Sequence, residues 1–312
     1  VAWTGLSLLL LLGLVCWVAL STWFTAWKLT HPPRRTYASA VARGKPGTPD
    51  ELTPPRRYSG WQLPTARGSL GVWEIDGDDP DGAIVIFTHG WGDSRIGALA
   101  RIEALAPGAA KVIAWDLPGH GVSPGICRLG ADEHELLLLL TERVRTEGRS
   151  VVLVGASLGA GVSIVAAAAM HPEQPAAVVA EAPYRVPKTP AANVLGNEGL
   201  PVWPNLALAL AALRGMFGAR LGGEAFDRAA HAAKLRCPLL VLHGTEDDVC
   251  PAEDGRAIAA AASEGRWEVV EGGGHNDLWR PEGTGGACAA IVRAFLASCL
   301  AAPVDNPGPA DR

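Results

Sequence analysis

The sequence predicts an α/β fold, a doubly wound and mostly parallel sheet, and three observations predict it. Short apolar runs of strand length alternate with segments of helical length from Tyr58 to Leu300, the pattern of parallel strands joined by right-handed crossovers. The run Val151–Val154 enters Gly155-Ala156-Ser157-Leu158-Gly159, and an Ala-rich apolar segment follows at once. That is a strand, a tight turn and a helix with a serine at the apex. Polar residues of one chemistry then recur after successive strands: Ser157, the adjacent Asp247 and Asp248, and His275. Strand ends scattered along an open α/β sequence gather along one edge in space.

Composition bounds the rest. A chain of 312 residues, 48% hydrophobic and 19% charged, buries one large core. A net charge of −5 and a pI near 5.9 argue against a nucleic-acid partner, as does the lack of a basic run interleaved with aromatics. The six cysteines (Cys16, Cys127, Cys237, Cys250, Cys288 and Cys299) contain no C-x-x-C pair, which points to neither a zinc site nor a disulfide framework. No histidines show H-E-x-x-H spacing, so neither metal nor cofactor is expected.

In chain order, residues 1–27 carry no charge, and Leu6–Leu20 is almost continuously apolar. The segment is long enough to cross a bilayer as a helix, with Trp23 and Trp27 as an interfacial belt. A cleaved signal peptide is the rival reading, but the nearby Ala38-Ser39-Ala40 triplet lies far beyond the run, past Pro32-Pro33 and Arg34-Arg35. Lys28, Arg34, Arg35, Arg43 and Lys45 follow the span, so the positive-inside tendency predicts that the domain after it is cytoplasmic. Residues 28–57 are rich in proline and basic residues and read as a linker, either solvated or lying on anionic lipid.

The folded domain is expected over 58–300. Trp61–Leu63 and Ser69–Ile75 read as an antiparallel pair closed by the Asp76–Gly82 turn. Ala83–Thr88 is continuously apolar, hence a strand buried on both faces. Helices follow at Ile96–Leu105 and Asp132–Arg145, the latter with Asp132 as cap, and strands at Lys111–Trp115 and Val151–Val154. After the helix Leu158–Met170 and the strand Ala176–Ala180 comes an irregular, then helical insertion over 183–234. Within it, Leu206–Phe217 has an apolar face that is expected either to line a substrate pocket or to pack on the sheet. Leu239–Leu242, Ala252–Ala262, Trp267–Val270 and Gly286–Leu300 finish the domain. Residues 301–312 are read as disordered.

Five motifs now stand together: THGWGDS (88–94), WDLPGHGVS (115–123), GASLGAG (155–161), LHGTEDDVCP (242–251) and GGGHNDLW (272–279). They make the domain resemble an α/β-hydrolase, and the anchor with its His-Pro-Pro-Arg linker is similar to membrane-tethered bacterial members of that superfamily. The resemblance implies esterase, thioesterase, lipase or peptidase chemistry on a small-molecule or lipid-like acyl substrate. It places the catalytic acid three residues after Gly244, at Asp247, with Asp248 in solvent or ordering the loop.

The residue chemistry agrees. Ser157 needs a base, His275, to remove its proton, and the imidazole needs a carboxylate to orient it. A tetrahedral oxyanion needs preorganised donors, here the backbone N–H groups of Leu158 and Trp91. Acyl transfer to another acceptor uses the same groups. An inactive binding module is disfavoured, because serine, histidine and both acids are present. Among the remaining polar residues, His89 and His120 are expected to make structural hydrogen bonds, Asp116 to order a turn and His243 to order its loop. Glu181, ending its strand near the site, is expected to serve a turn or helix cap, with contact to the site as the alternative, and His134 and His171 are expected to be solvated.

Overall fold

The computed structural model describes residues 2–146, 148–170 and 174–300. An apolar helix, α1 (Ala2–Thr30), precedes a short α2 (Tyr37–Val41) and a 3-10 turn at Pro49–Glu51. The sheet domain begins with the antiparallel pair β1 (Tyr58–Thr65) and β2 (Gly68–Asp76). Ala66 and Arg67 close this hairpin, because the Thr65 hydroxyl accepts from the Arg67 N–H at 3.0 Å and donates to the Gly68 carbonyl at 2.6 Å. The Asp76–Gly82 stretch, expected to close the pair, instead leads to β3 (Ala83–Thr88). A 3-10 segment, Arg95–Arg101, runs into α3 (Ile102–Leu105) where one longer helix was expected. Gly97 in its first half weakens α-helical propensity.

The chain then alternates: β4 (Ala109–Trp115), α4 (Glu133–Val144), β5 (Val151–Ala156), α5 (Leu158–Ala169) and β6 (Ala177–Glu181). The insertion contributes α6 (Lys188–Asn197), α7 (Asn205–Phe217) and α8 (Arg228–Ala232). Then come β7 (Leu239–Gly244), α9 (Ala252–Ala261), β8 (Gly265–Val270) and α10 (Gly285–Leu300). The eight strands form one sheet in the order β1-β2-β4-β3-β5-β6-β7-β8, with β2 alone running against the rest. Order reverses around β3, so the crevice beyond the carboxyl ends of β3 and β5 is the switch point where such sheets bind ligands.

Continuous apolar strands are buried on both faces, and alternation divides their side chains between two cores. Ile84 and Ile86 of β3, with Leu153 of β5 and Val241 of β7, join the core under α4, α5 and α9. Val85, Phe87, Val154 and Leu242 face the opposite core, with α3 and α10.

Two expected boundaries give way to packing. Residues 28–35 are no free linker: Leu29 belongs to the first core, and Arg34 donates to the Gly121 and Ser123 carbonyls at 3.2 and 2.9 Å. The apolar face of α7 packs chiefly along α1, with Leu206, Ala209, Leu213 and Phe217 buried and the Ser21 hydroxyl donating to Asn205 Oδ1 at 3.0 Å. Asp132 does not cap α4, because its carboxylate is taken by Arg67 at 2.7 Å and Arg128 at 3.0 Å. His171 and residues 301–312 lie outside the described residues.

His134 also departs from expectation. It is half-buried on α4, its Nδ1 has no hydrogen-bond partner, and burial together with nearby Arg228 pushes its pKa down to about 4. Between an unfolded value near 6.5 and about 4, the unfolded chain binds a proton that the folded chain does not, so stability falls as pH is lowered through that window. His134→Gln should flatten the fall in urea midpoint between pH 6.5 and 4. His89, His120 and His231, also lowered chiefly by burial, contribute slope of the same sign. An unchanged slope in the variant would refute the assignment.

Candidate active site

The site is built from the elbow outwards. Ser157 sits between β5 and α5 at φ 51° and ψ −111°, outside the usual conformations of a non-glycine residue. Its N–H is held by the Glu181 carbonyl at 2.7 Å. Only glycine fits on either side: a Cβ at Gly155 would lie 2.2 Å from the Gly159 carbonyl oxygen, and one at Gly159 2.0 Å from that of Thr88. The missing side chains let α5 start directly against β5 and β3.

Thr88 and Gly155 are register partners, so the loop after β3 lies beside the elbow. A Cβ on Gly90 would come 3.4 Å from the Ser157 Cβ. Among the described residues the next N–H, that of Trp91, has no hydrogen-bond acceptor. The Leu158 N–H is in the first turn of α5, where helix geometry supplies no acceptor. Both donors named from the sequence therefore lie on the two segments that flank Ser157.

Three side chains from three strand ends then meet. His275 Nε2 lies 3.1 Å from Ser157 Oγ, and its Nδ1 lies 2.8 Å from Asp247 Oδ2. Asp247 Oδ1 accepts from the N–H groups of Val249 at 2.9 Å and Cys250 at 2.7 Å. Burial alone would raise the pKa of this carboxyl, but the hydrogen bonds from His243 and His275 outweigh it and hold it well below the ordinary value. These bonds favour the ionised form of Asp247. Asp248 turns away and accepts from Asn197 of α6 at 2.8 Å, because consecutive side chains leave a turning backbone in different directions.

Sequence motif, strand order and this constellation agree with comparison to known proteins. The alpha/beta hydrolase family profile matches residues 85–291. The chain belongs to that family. It is similar to the uncharacterized protein Rv2307c of Mycobacterium tuberculosis H37Rv, 30% identical over 71% of this chain and 69% of that protein. The esterase Pf2001 of Pyrococcus furiosus superposes with a TM-score of 0.65 at 20% identity, covering 88% of this chain and 99% of that one. A membrane phospholipase A described as a bacterial virulence factor superposes at 0.61 with 18% identity, covering 97% and 100% of the two chains.

Other polar residues of this hydrolase site have structural partners. His89 is fully buried, with Nδ1 2.8 Å from the Gly90 carbonyl and Nε2 accepting from the Leu117 N–H at 3.0 Å. Nδ1 therefore carries the proton. His120 stacks edge-on against it, with ring centres 4.8 Å apart. Asp116 accepts from the Arg95 and Val122 N–H groups at 2.7 and 3.0 Å, joining two loops. His243 Nε2 is shared between the Cys250 carbonyl at 3.0 Å and Asp247 Oδ2 at 3.2 Å. It orders the acid loop, as expected, and also steadies the acid itself. Among the described residues no cluster of His, Cys, Asp or Glu has the makings of a metal site.

Glu181 overturns its expected role as cap or turn residue. It is buried at the end of β6, and Arg101 reaches both its oxygens, with Nε at 3.0 and 2.8 Å. The guanidinium also lies 4.8 Å from the Phe87 ring centre and 5.4 Å from that of Trp279. A carboxylate at a strand end signals a buried partner only when a cation elsewhere is known to reach it, and Arg101 is distant in sequence. Cys250, in sequence one of six scattered cysteines, has its sulfur 3.9 Å from Ser157 Oγ.

Removing one member of a buried ion pair strands the other charge, typically at about 3 kcal/mol or more. Arg101→Met should lower the melting temperature by roughly 6–12 °C, at about 2–4 °C per kcal/mol for a domain of this size. Arg101→Met combined with Glu181→Leu should recover much of the loss. Calorimetry on both variants checks this, and a double variant no better than the single one would show that the pair is not what the charge partner stabilises.

Proposed function

We propose that the protein is a membrane-tethered serine hydrolase that cleaves a carboxylic ester, thioester or amide of a small-molecule or lipid-like acyl substrate through an acyl-enzyme. The observation that carries the reading is the continuous hydrogen-bonded chain Ser157–His275–Asp247, with spacings of 3.1 and 2.8 Å. His275 Nε2 takes the Ser157 proton as Oγ attacks the acyl carbon, then returns it to the leaving group. Asp247 holds the Nδ1–H tautomer and stabilises the imidazolium as it forms. The Trp91 and Leu158 N–H groups receive the developing oxyanion, each worth roughly 3–4 kcal/mol of barrier. Water then follows the same path to release the acid.

Tethering rests on α1. Gly5–Thr30 contains an 18-residue stretch with a mean hydropathy of 2.2, and the helix is long and apolar enough to cross a membrane by length and composition. The basic residues after the helix support a cytoplasmic domain. Protease added to sealed right-side-out vesicles should therefore leave the domain intact, and digestion there would reverse the orientation.

The chemistry is tested on the full chain. Ser157→Ala should abolish fluorophosphonate labelling and lower turnover of an active ester roughly 10⁶-fold. Asp247→Asn should cost roughly 10⁴-fold, because the histidine loses its orienting acceptor. Asp248→Asn, altering a residue bonded to the cap surface, should remain near wild type. Reversed phenotypes at the two acids would reassign the acid and leave Ser157 and His275 standing. Undiminished turnover in Ser157→Ala would end the mechanism.

A further inference from the structure

The loop that carries the Trp91 N–H is gripped from outside the sheet. The Trp91 indole Nε1 donates to the Leu29 carbonyl at 2.9 Å, and the Lys28 ammonium lies 5.9 Å from the centre of the indole. Lys28 itself pairs with Glu198 at 2.5 Å, just past the end of α6. Two residues beyond the indole, Asp93 pairs with Arg35 at 3.2 Å. Between them, a Cβ on Gly92 would meet the Pro33 ring at 3.3 Å. The Thr30 carbonyl accepts from the Cys127 N–H at 2.9 Å, fixing the same turn from its other side.

Sequence explains why the Leu29 carbonyl is free to do this. A helical carbonyl at position i bonds the N–H at i+4, and for Leu29 that residue is Pro33, which has none. Pro32 removes the same partner from Lys28. The Pro32-Pro33 pair thus ends α1 and leaves the Leu29 carbonyl without a helical partner, which the indole N–H replaces, while the Lys28 carbonyl takes the His31 N–H at 3.3 Å instead.

We infer that the last turn of α1, Lys28–Thr30, positions the oxyanion-donating N–H of Trp91 through the Trp91 side chain, so that α1 is a working part of the active site as well as an anchor. The inference rests on the serine-hydrolase reading. Trp91 then contributes twice: its backbone N–H meets the substrate oxygen, and its indole acts as a positioning group that ties that N–H to α1. Preorganisation is what gives an oxyanion donor its value. A loop released from α1 keeps the donor but loses its aim, and the loss falls on the transition state rather than on substrate binding.

The test uses the full chain in phosphatidylcholine vesicles, with a fluorophosphonate whose phosphoryl oxygen occupies the position of the oxyanion. Trp91→Phe keeps an aromatic ring and removes the indole N–H. Its phosphonylation rate constant at saturation, kinact per titrated serine, should fall about tenfold while KI stays within twofold. That is a fraction of the 10²–10³ lost when an oxyanion donor is removed outright. Arg34→Gln with Arg35→Gln loosens the same grip from outside the site and should lower kinact about threefold, again without a change in KI. This second variant carries the test if Trp91→Phe does not fold. Two results would overturn the inference: kinact within twofold of wild type in both variants, or a change confined to KI, which would make Trp91 a substrate contact only. A smaller fraction of titratable chains with unchanged kinact would also overturn it, since a merely structural role predicts that outcome. A wild-type chain that is not labelled at Ser157 would overturn the hydrolase reading, and this inference with it.

Discussion

Everything at the site depends on how closely α5 can approach β5 and β3. Gly155 and Gly159 have backbone carbonyls where a Cβ would stand, at 2.2 and 2.0 Å. That contact turns the chain sharply enough to place Ser157 at φ 51°. Strain of this kind costs of order 1–3 kcal/mol and persists only where the surroundings over-determine it. Here the surroundings are the Glu181 carbonyl on the serine N–H, the parallel pairing of β5 with β3 and β6, and an α5 buried along nearly its whole length.

Electrostatics around the elbow are arranged in pairs that leave little uncompensated charge. Arg101 pairs with Glu181 at the end of β6, and its guanidinium lies close to the Phe87 and Trp279 rings. Asp247 collects two backbone N–H groups and two imidazoles. A carboxylate so surrounded stays ionised, and its fixed geometry directs one ring nitrogen of His275 and leaves the other for Ser157. The acid loop is tied in turn to the insertion, where Asn193 donates to the Val249 carbonyl at 2.8 Å.

The segments that looked peripheral in the chain are joined in the fold. Helix α1 packs along α7, Lys28 reaches the end of α6, and residues 29–35 touch the loops after β3 and β4. The apolar helix, the insertion and the loop that carries Trp91 therefore form one packed unit.

Sequence alone determined the α/β class, nearly every strand, and the polar side chains that stand at the strand ends. Each of these is written within a few residues: a period of two or none for a strand, glycines two residues either side of a serine, a pair of acids after a strand. The choice of Asp247 over Asp248 came from resemblance, and the geometry places only the former against His275. Tertiary structure decided what Glu181, Asp132 and His134 do, and where residues 28–35 and α7 pack. Arg101 meets Glu181 across 80 residues, and Trp91 meets Leu29 across 62. Such pairings depend on which strand lies beside which and on where a helix stops. Local propensity does not encode them, because an arginine or a carbonyl looks the same in sequence whether it ends in water or against a partner brought to it by the sheet.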